Sequence, residues 1–185
     1  MNNTHHALKL KISAYGAIRP KVWAKLLPQL KVCNLKPGEI FPRPAGSIAY
    51  IERGLLKEYD FRDRKKPSIV NFIFTDEFLP TPKHEQRCYV MAVTTSILYY
   101  LEFDELLALF FEYRELIHIH DAIFADYDET LAFRNRLLEQ KVAVVKIQAF
   151  IDKHRELIAF LKKKDIANYI HVEYDHFTRV FSKMV

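Results

Sequence analysis

Lys164-Asp-Ile-Ala-Asn-Tyr-Ile-His-Val-Glu-Tyr-Asp-His-Phe-Thr-Arg-Val-Phe-Ser-Lys-Met184 decides the fold, because it reads as two short helices joined by a tight turn. Ile166, Ala167 and Ile170 share one face of a first helix, Val172 falls in the turn, and Phe177, Val180 and Phe181 share one face of a second. Offsets of three and four residues bring same-face side chains together. The small Ala167 lets the two helix axes approach. The outward face of the second helix then carries Tyr174, Asp175, His176, Thr178, Arg179 and Lys183. Such side chains can hydrogen-bond base edges or phosphates when a helix lies in the major groove. The pattern is also that of an ordinary helical hairpin with a polar outer face.

Charge is segregated around this stretch. Residues 1–104 hold 16 basic and 10 acidic side chains, 105–133 hold 1 and 7, and 134–185 hold 11 and 6, within a net charge of +5. The last segment has the highest positive charge per residue, and Lys162, Lys163 and Lys164 stand directly before the first helix. Dense positive charge beside a candidate helix-turn-helix suits phosphate, since each neutralised phosphate releases condensed counterions. A lysine triplet can equally be a solvated run.

Working back, the period is helical from Asp104 onward, with no Pro or Gly after Pro82. Asp104 is positioned to cap a short helix reaching about Phe111, and a longer helix is predicted from about Glu115 to Gln140. Its stripe Leu116, Ile119, Ile123, Tyr127, Leu131, Arg134 and Leu138 is largely apolar, and Ile117, Phe124 and Leu137 add a second face. A helix with two apolar faces needs two partners. One is its own β domain, the other the same helix of a second subunit; a single wide face buried in a monomer is the alternative.

From Lys31 to Phe103 the texture is of short apolar or alternating runs: Val32–Leu35, Ile48–Ile51, Leu55–Phe61, Ile69–Phe74, Tyr89–Val93 and Ile97–Phe103. With the turn signals Lys36-Pro-Gly38, Arg43-Pro-Ala-Gly46, Arg53-Gly54 and Asp63-Arg-Lys-Lys-Pro67, these predict an antiparallel sandwich or barrel. Before them, a helix over about Ala7–Ala17 and a restart at Pro20, with Leu26, Leu27 and Leu30 as its apolar side, are expected.

Half of the 185 residues are hydrophobic, ample for a core. No run approaches the roughly 18–20 apolar residues that span a bilayer, and Met1-Asn-Asn-Thr-His-His6 lacks the regions of a signal peptide. A cytoplasmic location without a membrane partner is therefore expected. Cys33 and Cys88 are far apart in sequence and neither belongs to a Cys-x-x-Cys pair, which argues for two buried thiols and against a disulfide framework or zinc knuckle.

Strands first, a long helix next and a helix-turn-helix last is an order that resembles the Crp-Fnr family of bacterial transcription regulators, over nearly the whole chain. Leu35-Lys-Pro-Gly-Glu-Ile-Phe41 looks like the family's opening strand and turn, Tyr50-Ile-Glu-Arg-Gly-Leu-Leu-Lys-Glu-Tyr59 like its second hairpin, and Glu77-Phe78 like the approach to its effector loop. Asp165–Ile170 with Phe177-Thr-Arg-Val180 resembles its helix-turn-helix, and Ile147–Leu161 the helices before that motif in short members from Bacteroidetes-type bacteria.

The resemblance implies an α+β chain in three parts. Residues 1–113 would form an antiparallel β jelly roll like a cyclic-nucleotide-binding domain, with N-terminal helices. Residues 114–140 would form a long dimerisation helix using Leu116, Ile119, Ile123, Tyr127, Leu131 and Leu138, and 141–185 a helix-turn-helix domain. It implies a homodimer on double-stranded DNA, reading an inverted repeat, with RNA polymerase contact as a further partner and a small-molecule effector of unknown identity. Tyr174, Asp175 and Arg179 match the base-reading positions, with His176 beside them. Arg179 would contact guanine bidentately, Asp175 would accept from cytosine or hold Arg179, and Thr178, Lys183 and Lys162–Lys164 would position the backbone.

The chain also departs from the family. Cyclic-nucleotide members hold the phosphate with a Gly-Glu-Leu turn followed by an Arg. Here Glu77-Phe-Leu-Pro-Thr-Pro-Lys-His-Glu-Gln-Arg87 has no Gly-Glu pair and has two prolines that remove donors, which leaves Arg87 as the only matching effector-pocket candidate. Cyclic AMP and cyclic GMP are therefore expected to bind weakly or not at all. Two distant cysteines cannot hold an iron–sulfur cluster, and His118 and His120, two apart on a helix, point to different sides. No cofactor and no metal is expected. His171 stands where the family commonly has a turn Gly, and Val185 follows the second helix directly, without a β wing.

These departures, with acidic Glu173 and Asp175, keep a second reading open: a β-barrel sensor or interaction protein whose helix-turn-helix no longer binds DNA. A cupin-type enzyme fails on inventory, since His84 is the only histidine between Lys31 and Phe103. There is no Gly-rich phosphate loop, Gly-x-Ser-x-Gly elbow or carboxylate pair in a strand-loop context, so no enzyme activity is expected.

Overall fold

A computed structural model describes residues 5–61, 66–84 and 87–184. Helices α1 (His6–Tyr15) and α2 (Pro20–Leu26) lead into eight strands: β1 Lys31–Leu35, β2 Ile40–Phe41, β3 Ile48–Arg53, β4 Leu55–Asp60, β5 Ser68–Phe74, β6 Phe78–Pro80, β7 Cys88–Ala92 and β8 Ser96–Leu101. Helices α3 (Phe103–Glu112), α4 (Glu115–Glu139), α5 (Ala143–Lys153), α6 (Lys163–Tyr169) and α7 (Tyr174–Phe181) complete the chain.

The strands form two four-stranded sheets of order β1-β8-β3-β6 and β2-β7-β4-β5, antiparallel throughout. Their inner faces meet in a core of Leu35, Phe41, Ile51, Leu56, Ile73, Leu79, Val90 and Leu98. Strands β4 and β5 carry apolar residues on both faces because helices cover the second sheet from outside. Such double burial turns alternation into continuous apolar runs. The β3–β4 turn depends on Gly54, whose φ of 122° is a glycine conformation and whose missing Cβ makes room for Ser96.

β2 and β6 are the two elements that periodicity does not announce, being two and three residues long. Phe103 opens α3 rather than closing β8, and the N-cap is Glu102, with Asp104 in the first turn, where a carboxylate complements the helix dipole. The Asp63–Lys66 part of the expected turn falls largely outside the described residues, as do Glu85 and Gln86 of the effector-loop stretch. Cys33 and Cys88 are half-buried and not joined in a disulfide.

Two further clusters flank the sandwich. On one side α1, α2, α3 and the start of α4 bury Leu8, Ile12, Val22, Leu106 and Leu109 against Tyr50, Tyr99 and Leu101. On the other, α5, α6 and α7 bury Ile147, Phe150, Ile166, Tyr169, Phe177 and Phe181 against Leu55, Ile69 and Phe72 of the second sheet.

Of the stripe expected to face a second subunit, every residue but Leu131 has partners within the chain. Leu116, Ile119 and Ile123 are buried in the chain's own core, Tyr127 turns its hydroxyl to Glu58 on β4, and Leu138 packs into the C-terminal cluster. Periodicity identifies an apolar face but not its partner, and here the partner is internal. The face of α4 left outward carries Ile117, Asp121, Ala125 and Asp128, with Phe124 and Leu131 half-buried beside it.

Candidate nucleic-acid interface

α6 and α7 occupy the positions predicted for the two short helices, and the apolar residues that define them all turn inward. Ile166, Ala167, Ile170, Phe177 and Phe181 are buried, and the Phe177 and Phe181 rings stack at 5.1 Å. Opposite them on α7, Asp175 and Arg179 are exposed, flanked by exposed Tyr174, His176 and Lys183. Thr178 is half-buried and donates its hydroxyl to the Tyr174 carbonyl 2.9 Å away. Lys162, Lys163 and Lys164 are exposed at the start of α6, with the Lys163 ammonium 5.5 Å from the Phe181 ring centre. The predicted contact residues are thus exposed, apart from the half-buried Thr178.

Glu173 caps α7: its carboxylate accepts from the His176 N–H at 2.9 Å, which holds the carboxyl below its ordinary range. Its negative charge therefore serves the helix start. Asp165 is also engaged, 3.0 Å from the Lys57 ammonium of β4.

The turn between α6 and α7 is anchored in a way the sequence does not reveal. His171 has φ of 53°, the left-handed conformation costly for a non-Gly residue. Its ring is held by Ser68 Oγ at 2.7 Å and by Arg134 Nη2 at 2.9 Å. A guanidinium only donates, so His171 Nε2 accepts. Arg134, 7 % exposed, also donates to the Tyr169 carbonyl at 3.1 Å and to Ser68 Oγ at 3.0 Å. Beside it Asn168 accepts the Ile69 N–H at 2.6 Å and donates to the Pro67 carbonyl at 3.2 Å. Three polar side chains, Arg134 of α4, Asn168 of α6 and His171 of the turn, thus fasten the C-terminal helices to β5 and the residue before it. One signal pointed there: Arg134 interrupts an otherwise apolar stripe.

Arg87 is exposed just before β7, away from the sandwich interior. A different arginine occupies that interior. Arg43, 5 % exposed, pairs through Nη1 with Glu58, 1 % exposed, and donates to Thr81 Oγ1 at 3.3 Å and the Pro80 carbonyl at 3.2 Å. Tyr127 reaches in from α4 and donates to Glu58 at 2.8 Å. Burial opposes the charge on Arg43, but Glu58 and Tyr127 together hold it protonated, while burial and Glu58 push the Tyr127 phenol well above its ordinary range. No motif marks this trio, whose members are 15 and 69 positions apart along the chain.

His154, at the end of α5, lies among Phe150, Phe133 and Tyr169, with ring centres 4.7, 6.0 and 6.0 Å away. Burial, and then the neighbouring Lys153, lowers its pKa from 6.5 to about 4. The unfolded chain therefore binds this proton first, and stability is lost as pH falls from about 6.5 through 4, by up to about 3 kcal/mol. Urea titrations between pH 4 and 7 should show that slope, and His154→Phe should flatten it. An unchanged slope in the variant would exclude His154 as its origin.

Among the described residues no group of His, Cys, Asp or Glu is placed to hold a metal ion, and no helix is long and apolar enough to cross a membrane. His118 is exposed, and His120 lies between Phe110 and Phe124 with Nδ1 3.1 Å from Asp121.

No protein-family model and no curated protein matches the sequence. Solved structures do match the fold. FixK2 from Bradyrhizobium japonicum superposes with a TM-score of 0.75 at 14% identity, covering 84% of each chain. A protein from Eubacterium rectale ascribed to the crp/fnr family of transcriptional regulators gives 0.70 at 11%, over 90% of this chain and 83% of that one. CLP of Xanthomonas campestris, a c-di-GMP responsive global regulator, gives 0.68 at 13%, over 90% and 91%. At these identities the likeness is one of fold.

Proposed function

We propose that the chain is a DNA-binding transcription regulator of the Crp-Fnr type, acting by binding and not by catalysis. The observation that carries this reading is α7, which buries Phe177 and Phe181 in the core while Asp175 and Arg179 stand exposed on its outer face. The fold shared with regulators supports it. In this reading 1–113 is a jelly roll with N-terminal helices, supported by the strand orders 1-8-3-6 and 2-7-4-5. Residues 114–140 form the connecting helix and 141–185 the helix-turn-helix domain.

Arg179 reads guanine through O6 and N7, Asp175 orients it or accepts from cytosine, and Lys162, Lys163, Lys164 and Lys183 neutralise phosphates. A homodimer places two copies of α7 about one DNA turn, roughly 34 Å, apart on an inverted repeat. Its seam would use the Ile117, Phe124 and Leu131 side of α4. RNA polymerase is a further partner, and the site of action is the cytoplasm.

Cyclic nucleotides are not the effector in this reading, because Arg43, Glu58 and Tyr127 already satisfy one another within the roll. The interaction-protein alternative loses two of its supports, since Glu173 is a cap and His171 is anchored by Ser68 and Arg134.

Selection of duplexes from a random pool at near-physiological salt tests the proposal. The wild-type chain should recover an inverted repeat. Arg179→Ala should bind it about 5- to 150-fold more weakly, corresponding to roughly 1–3 kcal/mol, with specificity relaxed at one base. Lys164→Ala should weaken all sequences alike and lower the salt slope by about one. Recovery of no motif, or of the same motif with equal affinity by Arg179→Ala, would overturn the reading.

A further inference from the structure

The strands reach the turn between α6 and α7 directly. Asn168 closes both groups of its amide on the backbone at the start of β5, accepting the Ile69 N–H at 2.6 Å and donating to the Pro67 carbonyl at 3.2 Å. Between those two residues Ser68, 6 % exposed, brings Oγ within 2.7 Å of His171 Nε2 in the turn itself, and Arg134 donates to both. Residues 67–69 are thereby held against the helix-turn-helix at two places. Lys66 comes immediately before them and is exposed. Two residues of chain span at most about 7 Å, so the Lys66 backbone lies within that distance of Ser68, before its flexible stem is counted.

A helix-turn-helix lays the N-terminal residues of its second helix on base edges while its first helix crosses the phosphate backbone. The turn joins the two, so a strand fastened to the turn is carried to the same phosphates. The charge balance there favours an anion. Asp165 is held by Lys57 at 3.0 Å, Glu173 caps α7, and Asp60, opposite Ser68 on β4, is half-buried. No carboxylate among the described residues pairs with Lys66.

We infer that the start of β5 belongs to the DNA-binding surface, with Lys66 as a phosphate contact that the sandwich supplies to the helix-turn-helix. This rests on the regulator reading and extends it beyond residues 141–185. A contact of this kind carries no sequence information; it adds affinity and fixes the orientation of α7 on the duplex. It also makes the anchoring of the turn part of DNA binding, because Asn168, His171 and Arg134 set where Lys66 stands.

Fluorescence anisotropy of the full chain on a labelled duplex of random sequence, between 50 and 200 mM salt, tests it. Lys66→Ala should weaken binding severalfold at the lower salt and reduce the slope of log affinity against log salt by about one. Lys66→Glu should weaken it further, by about tenfold or more, since it sets a negative charge beside phosphate. Lys36→Ala removes the same charge at the other end of the sheet and should leave the slope unchanged. Lys36 is exposed in the turn whose Gly38 N–H is bound by the Ala92 carbonyl, and Ala92 pairs with Leu56, four residues or about 13 Å along β4 from Asp60, the partner of Ser68. Both lysines are exposed, so the variants should melt as the wild type does. A wild-type slope in Lys66→Ala, or the same loss of slope in Lys36→Ala, would overturn the inference while leaving the regulator reading in place. Absence of duplex binding by the wild-type chain would remove both.

Discussion

Arg43→Ala is expected to destabilise the chain by about 3–5 kcal/mol, the usual consequence of removing one partner of a buried ion pair. Glu58 would be left charged, 1 % exposed, with only the Tyr127 hydroxyl against it among the described residues. Thr81 and the Pro80 carbonyl would lose the guanidinium as well. At 2–4 °C per kcal/mol for a chain of this size, the melting temperature should fall by roughly 10 °C. The double variant Arg43→Met with Glu58→Leu should recover much of the loss, since an apolar pair of similar volume replaces a desolvated ionic one. Arg87→Ala, at an exposed position, should shift stability by no more than about 1 kcal/mol. Thermal melts of the four proteins measure this directly, and equal melting of Arg43→Ala and Arg87→Ala would remove the buried pair from the account.

Arg134→Ala is expected to act on the seam between α6 and β5, at about 4 kcal/mol. The Tyr169 carbonyl, Ser68 Oγ and His171 Nε2 all lose a charged donor, and Tyr169 loses the guanidinium that lies 5.3 Å from its ring. His171 then keeps its left-handed backbone without the Arg134 donor on its ring. Amide exchange should report the place of the damage. Protons of Asn168 to Val172 and of Ile69 should exchange much faster, while those of β3 and β8, in the other sheet, should change only with global stability. Uniform acceleration across both sheets would mean that Arg134 supports the whole fold and has no special part in this seam.

α4 and α7 were readable because long or strongly amphipathic helices repeat their signal over several turns. β2 and β6 were not, because two or three residues contain no full period, and their pairing with β7 and β3 is imposed from outside. The exposed face of α7 could be listed residue by residue, since its complement is the buried Phe177 and Phe181 pair. The apolar stripe of α4 is legible in its spacing, but that Leu116, Ile119 and Ile123 are buried within the chain itself is not. His154, Ser68 and Asn168 carried no motif, and their roles exist only where distant elements meet.

By itself the sequence determined the order of the longer strands and helices, the apolar side of each helix, the segregation of charge toward the C-terminus and the outward set of α7. All are local or periodic properties, written in spacings of two to four residues. Tertiary structure alone decided that α4 spends its apolar stripe inside the chain, that Arg43 and Glu58 meet in the sandwich, and that Arg134 and His171 fasten the turn to β5, with Lys66 close by. These depend on contacts between residues tens of positions apart. Burial and electrostatic pairing act through space, so no pattern along the chain encodes them in advance.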